Sequence, residues 1–291
     1  MTRIETYDDP AAFERSTASF DKGPVGILLV EDEVEAQSSL DHMARIGFRS
    51  IVAMGPEAIS LTPPDGTHML RVGWRNAQRG AVPAAVNAVA RKGPGLWMHY
   101  CFNAEYLYFP FCETRSVGEM LTFHTEERRD SMLTYVVDLY SDDLRGVGPV
   151  SRERAHLDAS GYFAEARPDP ANHGHPMERQ LNFHGGLRWR FEEHVPPQRR
   201  RIDRIGLFRA VHRVDLRDDH TFSAPEYNTY ACPWHHNLTA SICSFRAAKA
   251  LMRNAGSRDA IDTFMWHRSV PFEWDSQQLL DLGLMEPGQW F

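Results

Sequence analysis

An amide and a carboxylate stand where an apolar, aromatic run of strand length ends, at Asn103 and Glu105 with Ala104 between them. Carboxylate and carbonyl oxygens are the ligands that hard divalent cations prefer. Strands of a parallel sheet bring such residues to one edge, where ligands usually bind. The pattern therefore predicts a Mn²⁺ or Mg²⁺ site at Asn103 and Glu105 with fewer anionic ligands than such sites usually have. Glu105 is its only anionic ligand and is also a candidate catalytic residue.

A second acidic cluster follows the apolar run PVGILLV and consists of Glu31, Asp32 and Glu33. At a strand end these carboxylates could meet the base or ribose of a nucleotide. Acids that precede a helix are also expected on structural grounds, because they complement the positive end of its dipole. Both interpretations stay open for this cluster.

Cationic side chains could stabilise a diphosphate in place of a metal, because guanidinium groups make bidentate bonds to phosphate oxygens. Arg188 and Arg190 would share one face of an extended strand beside Trp189, and Arg246 and Lys249 lie near the start of a later helix. The alternative is that the two arginines form surface ion pairs with neighbouring acids such as Glu192 and Glu193.

The candidate catalytic bases are His184, Glu226, His235 and His236. The two consecutive histidines are favoured because they follow Pro233 and Trp234 in an aromatic segment that could stack on a sugar ring. Histidines in such a segment are more often packed, hydrogen-bonded loop residues. A metal-dependent hydrolase that uses both histidines with Glu226 is a third option, although the spacing of a zinc protease motif is absent.

The composition is that of an ordinary globular protein, with 42% apolar and 24% charged residues and a formal charge of −7. The negative charge argues against a surface that grips nucleic acid. No apolar run is long enough to span a membrane, and the four cysteines lack CxxC spacing. We therefore expect a cytoplasmic protein without a membrane span or a nucleic-acid partner.

Alternating strand and helix patterns predict an α/β fold with a doubly wound sheet flanked by helices. Strands are expected at residues 24–30, 48–53, 97–102, 134–140 and 204–211, and helices at 34–46, 83–92, after Ser116, and at 239–254, 258–267 and 275–282. The segment 54–71 is expected to be a loop, and the turn-rich segment that ends near Met177 a covering lid. We divide the chain into an extension or short helix at 1–22, an α/β half at 23–145, and an irregular, partly helical half of the same domain at 146–291.

Several phrases resemble the family 2-like glycosyltransferases of the GT-A fold. The chain reads GILLVEDE, then HMARIGF, then FNAEYLYFP. These stand in the order of that family's Asn-Glu strand end, its HxxLGF-like helix end and its DxDEFL-like metal motif. Weaker matches follow in VDLYSDDL, HGGLRWRF, RIDRIGLFRA and SICSFRAAK. The resemblance covers residues 23–144 fairly well and 180–285 loosely.

This resemblance implies a hexosyltransferase that moves a sugar from a nucleotide-diphosphate donor to a glycan or lipid-linked acceptor. It implies that residues 23–145 are the nucleotide-sugar-binding half and 146–291 the acceptor-side half, and that Glu33 meets the base or ribose of the donor. The family's DxD acids fall on Phe102 and Ala104, or on Asn103 and Glu105, and Ser244 stands where the family has a metal-shell histidine. These departures predict transfer with a degenerate metal motif, in which cations do the work of the metal. The alternative is a non-catalytic GT-A-fold protein that binds a nucleotide sugar, a glycan or a partner enzyme.

Overall fold

The computed structural model describes residues 4–230 and 237–290. The chain forms two compact units, each built from separate segments. Unit 1 contains Met1–Leu107, Cys112–Leu133 and Ile205–Asn228. Unit 2 contains Tyr108–Phe111, Thr134–Arg204 and Thr229–Phe291.

A mixed, largely parallel sheet of nine strands runs through the fold. Its strands are β1 (Glu5–Tyr7), β2 (Val25–Leu29), β3 (Ser50–Gly55), β4 (His68–Gly73), β5 (Trp97–Phe102), β6 (Glu105–Tyr108), β7 (Ser131–Asp138), β12 (Asp203–Arg209) and β13 (Ala240–Ser244). Their order in the sheet is β1-β4-β3-β2-β5-β12-β7-β13-β6. The first five neighbours, from β1 to β5, are all parallel, whereas β12 is antiparallel to β5. The predicted α/β class with a sheet flanked by helices is confirmed.

Unit 1 has a core made by the strands that read as continuous apolar runs. Every residue of β2 is buried, as expected for a parallel strand that is covered on both faces. Its helices are α1 (Pro10–Arg15), α2 (Ala36–Arg45), α3 (Ala81–Lys92) and α4 (Val117–Glu126). Ser116 and Glu119 form the predicted capping box at the start of α4.

Unit 2 adds two small antiparallel sheets to its part of the fold. One contains β8 (Tyr140–Ser141), β9 (Ala155–Asp158) and β14 (Ser269–Pro271), and the other pairs β10 (Phe163–Pro168) with β11 (Pro176–His184). Its helices are α5 (Leu187–Arg190), α6 (Arg246–Arg253), α7 (Ala255–Arg258) and α8 (Ser276–Asp281), and short 3₁₀ turns lie at Glu192–His194 and Pro197–Arg199. A further 3₁₀ turn, Pro225–Asn228, belongs to unit 1.

Several predicted elements differ from the structure. Residues 240–244 are a strand rather than the start of a helix, because ASICS is buried on both faces and shows no alternation. The predicted loop at 54–71 contains the start of β4, and most of the predicted lid is the β9, β10 and β11 region. The helix expected at 258–267 is wrong, because α7 ends at Arg258 and residues 259–267 form turns and irregular structure. In the described parts of the chain, no helix is long and apolar enough to cross a membrane.

Candidate functional site

The order of the strands in unit 1 reverses at β2. From β2 the chain passes through α2 to β3 and then to β4 on one side, whereas α3 leads to β5 on the other side of β2. The register pairs Leu29 with Phe102, so the residues that follow both strands emerge together at the carboxyl edge. Open α/β sheets bind their ligands in the crevice at such a switch point.

Asn103, which follows β5, is hydrogen-bonded to the loop that follows β2. Its Oδ1 accepts a hydrogen bond from the Glu31 amide at 2.9 Å, and its Nδ2 donates to Asp32 Oδ1 at 2.9 Å and to the Val34 carbonyl at 2.7 Å. The Asn103 amide to Leu29 carbonyl bond, at 3.0 Å, extends the pairing of the two strands. The side chain is fully buried. It therefore fixes the loop that carries the acidic cluster.

Glu31 and Asp32 are half-buried in that loop, whereas Glu33 is exposed. Asn76, which follows β4, donates from Nδ2 to Glu31 Oε1 at 2.7 Å. Asp32 Oδ1 also accepts from the Val34 amide at 3.0 Å. Glu31 and Asp32, which follow β2, thus lie with Asn76, which follows β4, at the carboxyl edge of the sheet. These three residues are the candidate ligand site of unit 1, and we call them the switch-point site.

Asn103 and Ala104 form a tight turn between β5 and β6, and Glu105 is the first residue of β6. Ala104 has φ +62°, and its amide donates to Ser39 Oγ at 2.9 Å. The Glu105 carboxylate, which is 1% exposed, folds back so that Oε2 accepts from the Phe102 amide at 2.9 Å. Both side chains of the predicted metal pair therefore have structural partners: Asn103 in the loop after β2, and Glu105 at the end of β5.

Both residues of the predicted Mn²⁺ or Mg²⁺ site accept hydrogen bonds from backbone amides. The Glu31 amide donates to Asn103 Oδ1 and the Phe102 amide to Glu105 Oε2, so these two oxygens are used within the protein, and the metal site stays a prediction. Among residues 4–230 and 237–290, no group of three or more His, Cys, Asp or Glu side chains could hold a metal ion. The function proposed below involves no step through a metal.

Arg188 does not lie on an extended strand, as the sequence predicted, but on the short helix α5. Its Nε lies 3.5 Å from Asp138 Oδ1, and its Nη1 donates to the Arg201 carbonyl at 3.1 Å. The Asp138 carboxylate is fully buried at the end of β7, and its Oδ2 accepts from the Arg188 amide at 3.3 Å. The sequence offered Glu192 and Glu193 as alternative partners for this arginine, but it pairs with Asp138 instead.

Arg190 makes the equivalent pair with Asp158, at 3.2 Å between Nε and Oδ2. Its guanidinium lies 4.9 Å from the Trp266 ring centroid, and both Nη atoms donate to the Phe264 carbonyl. Asp158 Oδ1 accepts from the Tyr140 hydroxyl and, at 2.7 Å, from Trp266 Nε1. The two arginines therefore hold a buried network within unit 2, and we do not assign them to a diphosphate.

Burial raises the pKa of Asp138 to about 6, and the Arg188 guanidinium opposes that increase. The pKa is higher in the folded protein than the ordinary value of 3.8, so this group makes the folded protein less stable as the pH rises from 4 to 6. The difference corresponds to about 3 kcal/mol between these limits. Asp138→Asn should remove this part of the pH dependence.

Urea denaturation of both proteins at several pH values from 4 to 7 measures the effect. The readout is the change of unfolding free energy with pH, since the substitution also alters stability at every pH. Asp281→Asn, at an exposed position in the same unit, is the control and should leave the slope unchanged. A wild-type slope that persists in Asp138→Asn would contradict the assignment.

The remaining predicted site residues lie in different places. Arg246 is the first residue of α6, where its amide donates to Ser244 Oγ at 3.2 Å, and Lys249 is buried one turn later. Neither side chain is without a partner in the protein. Helix α6 packs near α5 through a core that includes Leu187, Ala248 and Leu251. His235 and His236 lie outside the described residues.

The hydrogen-bond and ion-pair partners of the predicted site residues could not be identified from the sequence. Glu31, Asp32 and Asn76 could have been ranked above Glu33 only with the β4 strand in place, because Asn76 follows that strand. Asp138 and Asp158 end buried strands of unit 2, and a lone acid at the end of an apolar run was the only available signal. No protein-family model matches the chain, and no curated protein matches it significantly in sequence.

Proposed function

We propose that the chain is a GT-A-like glycosyltransferase that binds a nucleotide-diphosphate sugar at the switch-point site. The observation that carries the proposal is the presence of Glu31, Asp32 and Asn76 at the carboxyl edge where the strand order reverses between β2 and β5. Carboxylates at such an edge accept hydrogen bonds from ribose hydroxyls. The donor class and the transfer to a glycan or lipid-linked acceptor are taken from the sequence resemblance.

In this proposal the residues of unit 1 bind and orient the donor. Glu31 is held by Asn76, and Asp32 is held by Asn103, so both carboxylates are positioned before the ligand arrives. Charge-assisted hydrogen bonds from the ribose hydroxyls to these groups contribute affinity and orientation. The diphosphate ligands and the catalytic base are not assigned.

A thermal-shift titration with UDP-, GDP- and ADP-linked sugars tests the binding. A ligand that binds only the folded state raises the melting temperature, by an amount that corresponds to about 2.7 kcal/mol at 100 times its Kd. We expect at least one of these donors to raise it in the presence of EDTA. Glu31→Gln should weaken that binding about 10- to 100-fold, the effect of losing one hydrogen bond to a charged group.

Two matched variants separate this assignment from its alternatives. Glu126→Gln changes an exposed acid of the same unit at the end of α4, next to Thr125, which bonds Trp97 at the amino end of β5, and should leave binding unaltered. Glu33→Gln tests the residue that the sequence resemblance favours. Binding that depends on Glu33 and not on Glu31 would overturn the switch-point assignment, and binding only with added Mn²⁺ would overturn the metal-free site.

A non-catalytic GT-A-like binding protein is the second candidate. The observation that favours it is the structural use of Asn103 and Glu105 within the turn after β5. Release of free UDP or GDP from the bound donor, measured with mixed glycan acceptors, distinguishes the two. Binding without release supports the second candidate.

A further inference from the structure

Two aromatic side chains on unit 2 are exposed and in contact with each other. Phe163 is 40% exposed and Trp189 is 42% exposed. Their ring centroids lie 6.0 Å apart with an interplanar angle of 75°. His184 stacks on Phe163, with ring centroids 5.2 Å apart and an interplanar angle of 22°. We call Phe163, His184 and Trp189 the aromatic platform.

Trp189 is presented by a rigid support. It lies on α5 between Arg188 and Arg190, each of which is paired with a buried aspartate. An indole whose two neighbours are fixed in this way loses little conformational freedom when a ligand binds. The exposed Trp189 ring is therefore preorganised for a ligand.

Phe163 is held by an equivalent arrangement on the hairpin of β10 and β11. The residue before it, Tyr162, places its ring against Gly185, where a Cβ atom would lie 2.2 Å from Tyr162 Cδ1. Phe163 and His184 are direct partners in the register of the two strands. The close approach at Gly185 thus fixes the strand that presents Phe163, and the cross-strand stack fixes the ring.

The rim of the platform is polar and carries a negative charge. Glu165 Oε2 lies 3.9 Å from His184 Nε2, and the glutamate side chain is 66% exposed. A carboxylate beside aromatic rings accepts hydrogen bonds from hydroxyl groups and disfavours phosphates and other anions. The phosphates of a nucleic-acid strand stacked on these rings would face the Glu165 carboxylate, which repels them.

We propose that the aromatic platform binds a pyranose ring of a neutral saccharide. The two exposed rings offer roughly 150 Å² of apolar surface. A stable interface with a second copy or another protein needs about 800 Å² per partner. A sugar ring matches the platform in both respects, because one face of a pyranose carries C–H groups that pack on aromatic carbon while its hydroxyls reach the Glu165 rim.

The role of this surface in the acceptor half of a transfer reaction rests on the proposed function, whereas saccharide binding does not. Saturation-transfer NMR with cellotriose, maltotriose, mannotriose and chitotriose tests the binding, with irradiation of the protein's aromatic protons. We expect transfer to the ring C–H protons of at least one of these sugars. Trp189→Ala and Phe163→Ala should each weaken its affinity about tenfold, the effect of truncating an aromatic contact at the centre of an interface.

Controls separate binding from folding and from the donor site. Val147→Ala changes an exposed apolar residue of the same unit and should leave the signal intact, and Trp189→Phe should retain part of it. Trp189→Ala should leave the thermal shift with nucleotide sugars unchanged, and Glu31→Gln should leave saccharide binding unchanged. A failure of the donor site alone is thereby recognised.

Two results would overturn the proposal. One is the absence of saturation transfer to all four sugars. The other is a signal of equal strength in the wild type, Trp189→Ala and Phe163→Ala when melting curves show that both variants are folded.

Discussion

Replacing Arg190 with methionine is expected to lower the free energy of unfolding by about 3–5 kcal/mol, the cost of removing one partner of a buried ion pair. The Asp158 carboxylate, which is 1% exposed, would lose its cation. The guanidinium also lies over the Trp266, Tyr140 and Phe191 rings, so its cation–π contacts would be lost as well. Urea denaturation at neutral pH measures the change.

The double variant Arg190→Met with Asp158→Asn should recover part of this loss, since it removes the charge that the single variant leaves buried. Arg145→Met is the matched control on the same unit. Arg145 pairs with Asp262 at 3.2 Å, but the two side chains are 85% and 90% exposed, and such a pair contributes at most about 1 kcal/mol. Equal losses for Arg190→Met and Arg145→Met would contradict the buried network.

The elements that could be predicted from the sequence are those with a strong local signal. The continuous apolar runs at β2 and β5 are strands, and Ser116 with Glu119 begins a helix as expected. A buried strand or a capped helix has its cause within a few residues. The hairpin of β10 and β11 gave no comparable signal, because most of its residues are exposed and it lacks the alternation of a half-buried strand.

Site residues were harder to predict because their partners lie far away in the sequence. Asn103 suits a metal by its carbonyl oxygen, yet that oxygen accepts from the Glu31 amide 72 residues before it. Arg188 and Arg190 alternate with Trp189 as residues of a strand would, but they lie on a helical turn that follows two glycines with positive φ. In both cases the sequence shows which chemical group the side chain carries, but it does not show which distant residue that group contacts in the fold.

Glu33 illustrates the same limit at the switch-point site. The resemblance to glycosyltransferases selects it from three consecutive acids, and local sequence offers no means to rank them. The structure leaves Glu33 exposed, whereas Glu31 and Asp32 are held by amides from two other segments. The role of Glu33 stays a prediction, and the comparison of Glu31→Gln with Glu33→Gln decides between them.

Replacing Gly185 with alanine is expected to destabilise the protein by about 3 kcal/mol or more, because a steric overlap adds to backbone strain. Gly185 has φ +152°, and a Cβ atom there would lie 2.2 Å from Cδ1 and 2.9 Å from Cε1 of Tyr162. A ring cannot yield as the tip of a flexible chain would, so the strand that carries Tyr162 and Phe163 must shift. Thermal and urea denaturation measure the loss.

Gly174→Ala is the control for strain alone, since Gly174 has φ +81° in the turn of the same hairpin and a Cβ atom there would meet nothing within 4 Å. It should cost about 1 kcal/mol. Combining Gly185→Ala with Tyr162→Ala should make the glycine substitution cheaper than it is in the wild type, because the ring that it overlaps is gone. An unchanged cost in that background would place the strain elsewhere. If the overlap is the cause, the Gly185→Ala variant should also bind saccharide more weakly, because the shifted strand carries Phe163 of the aromatic platform.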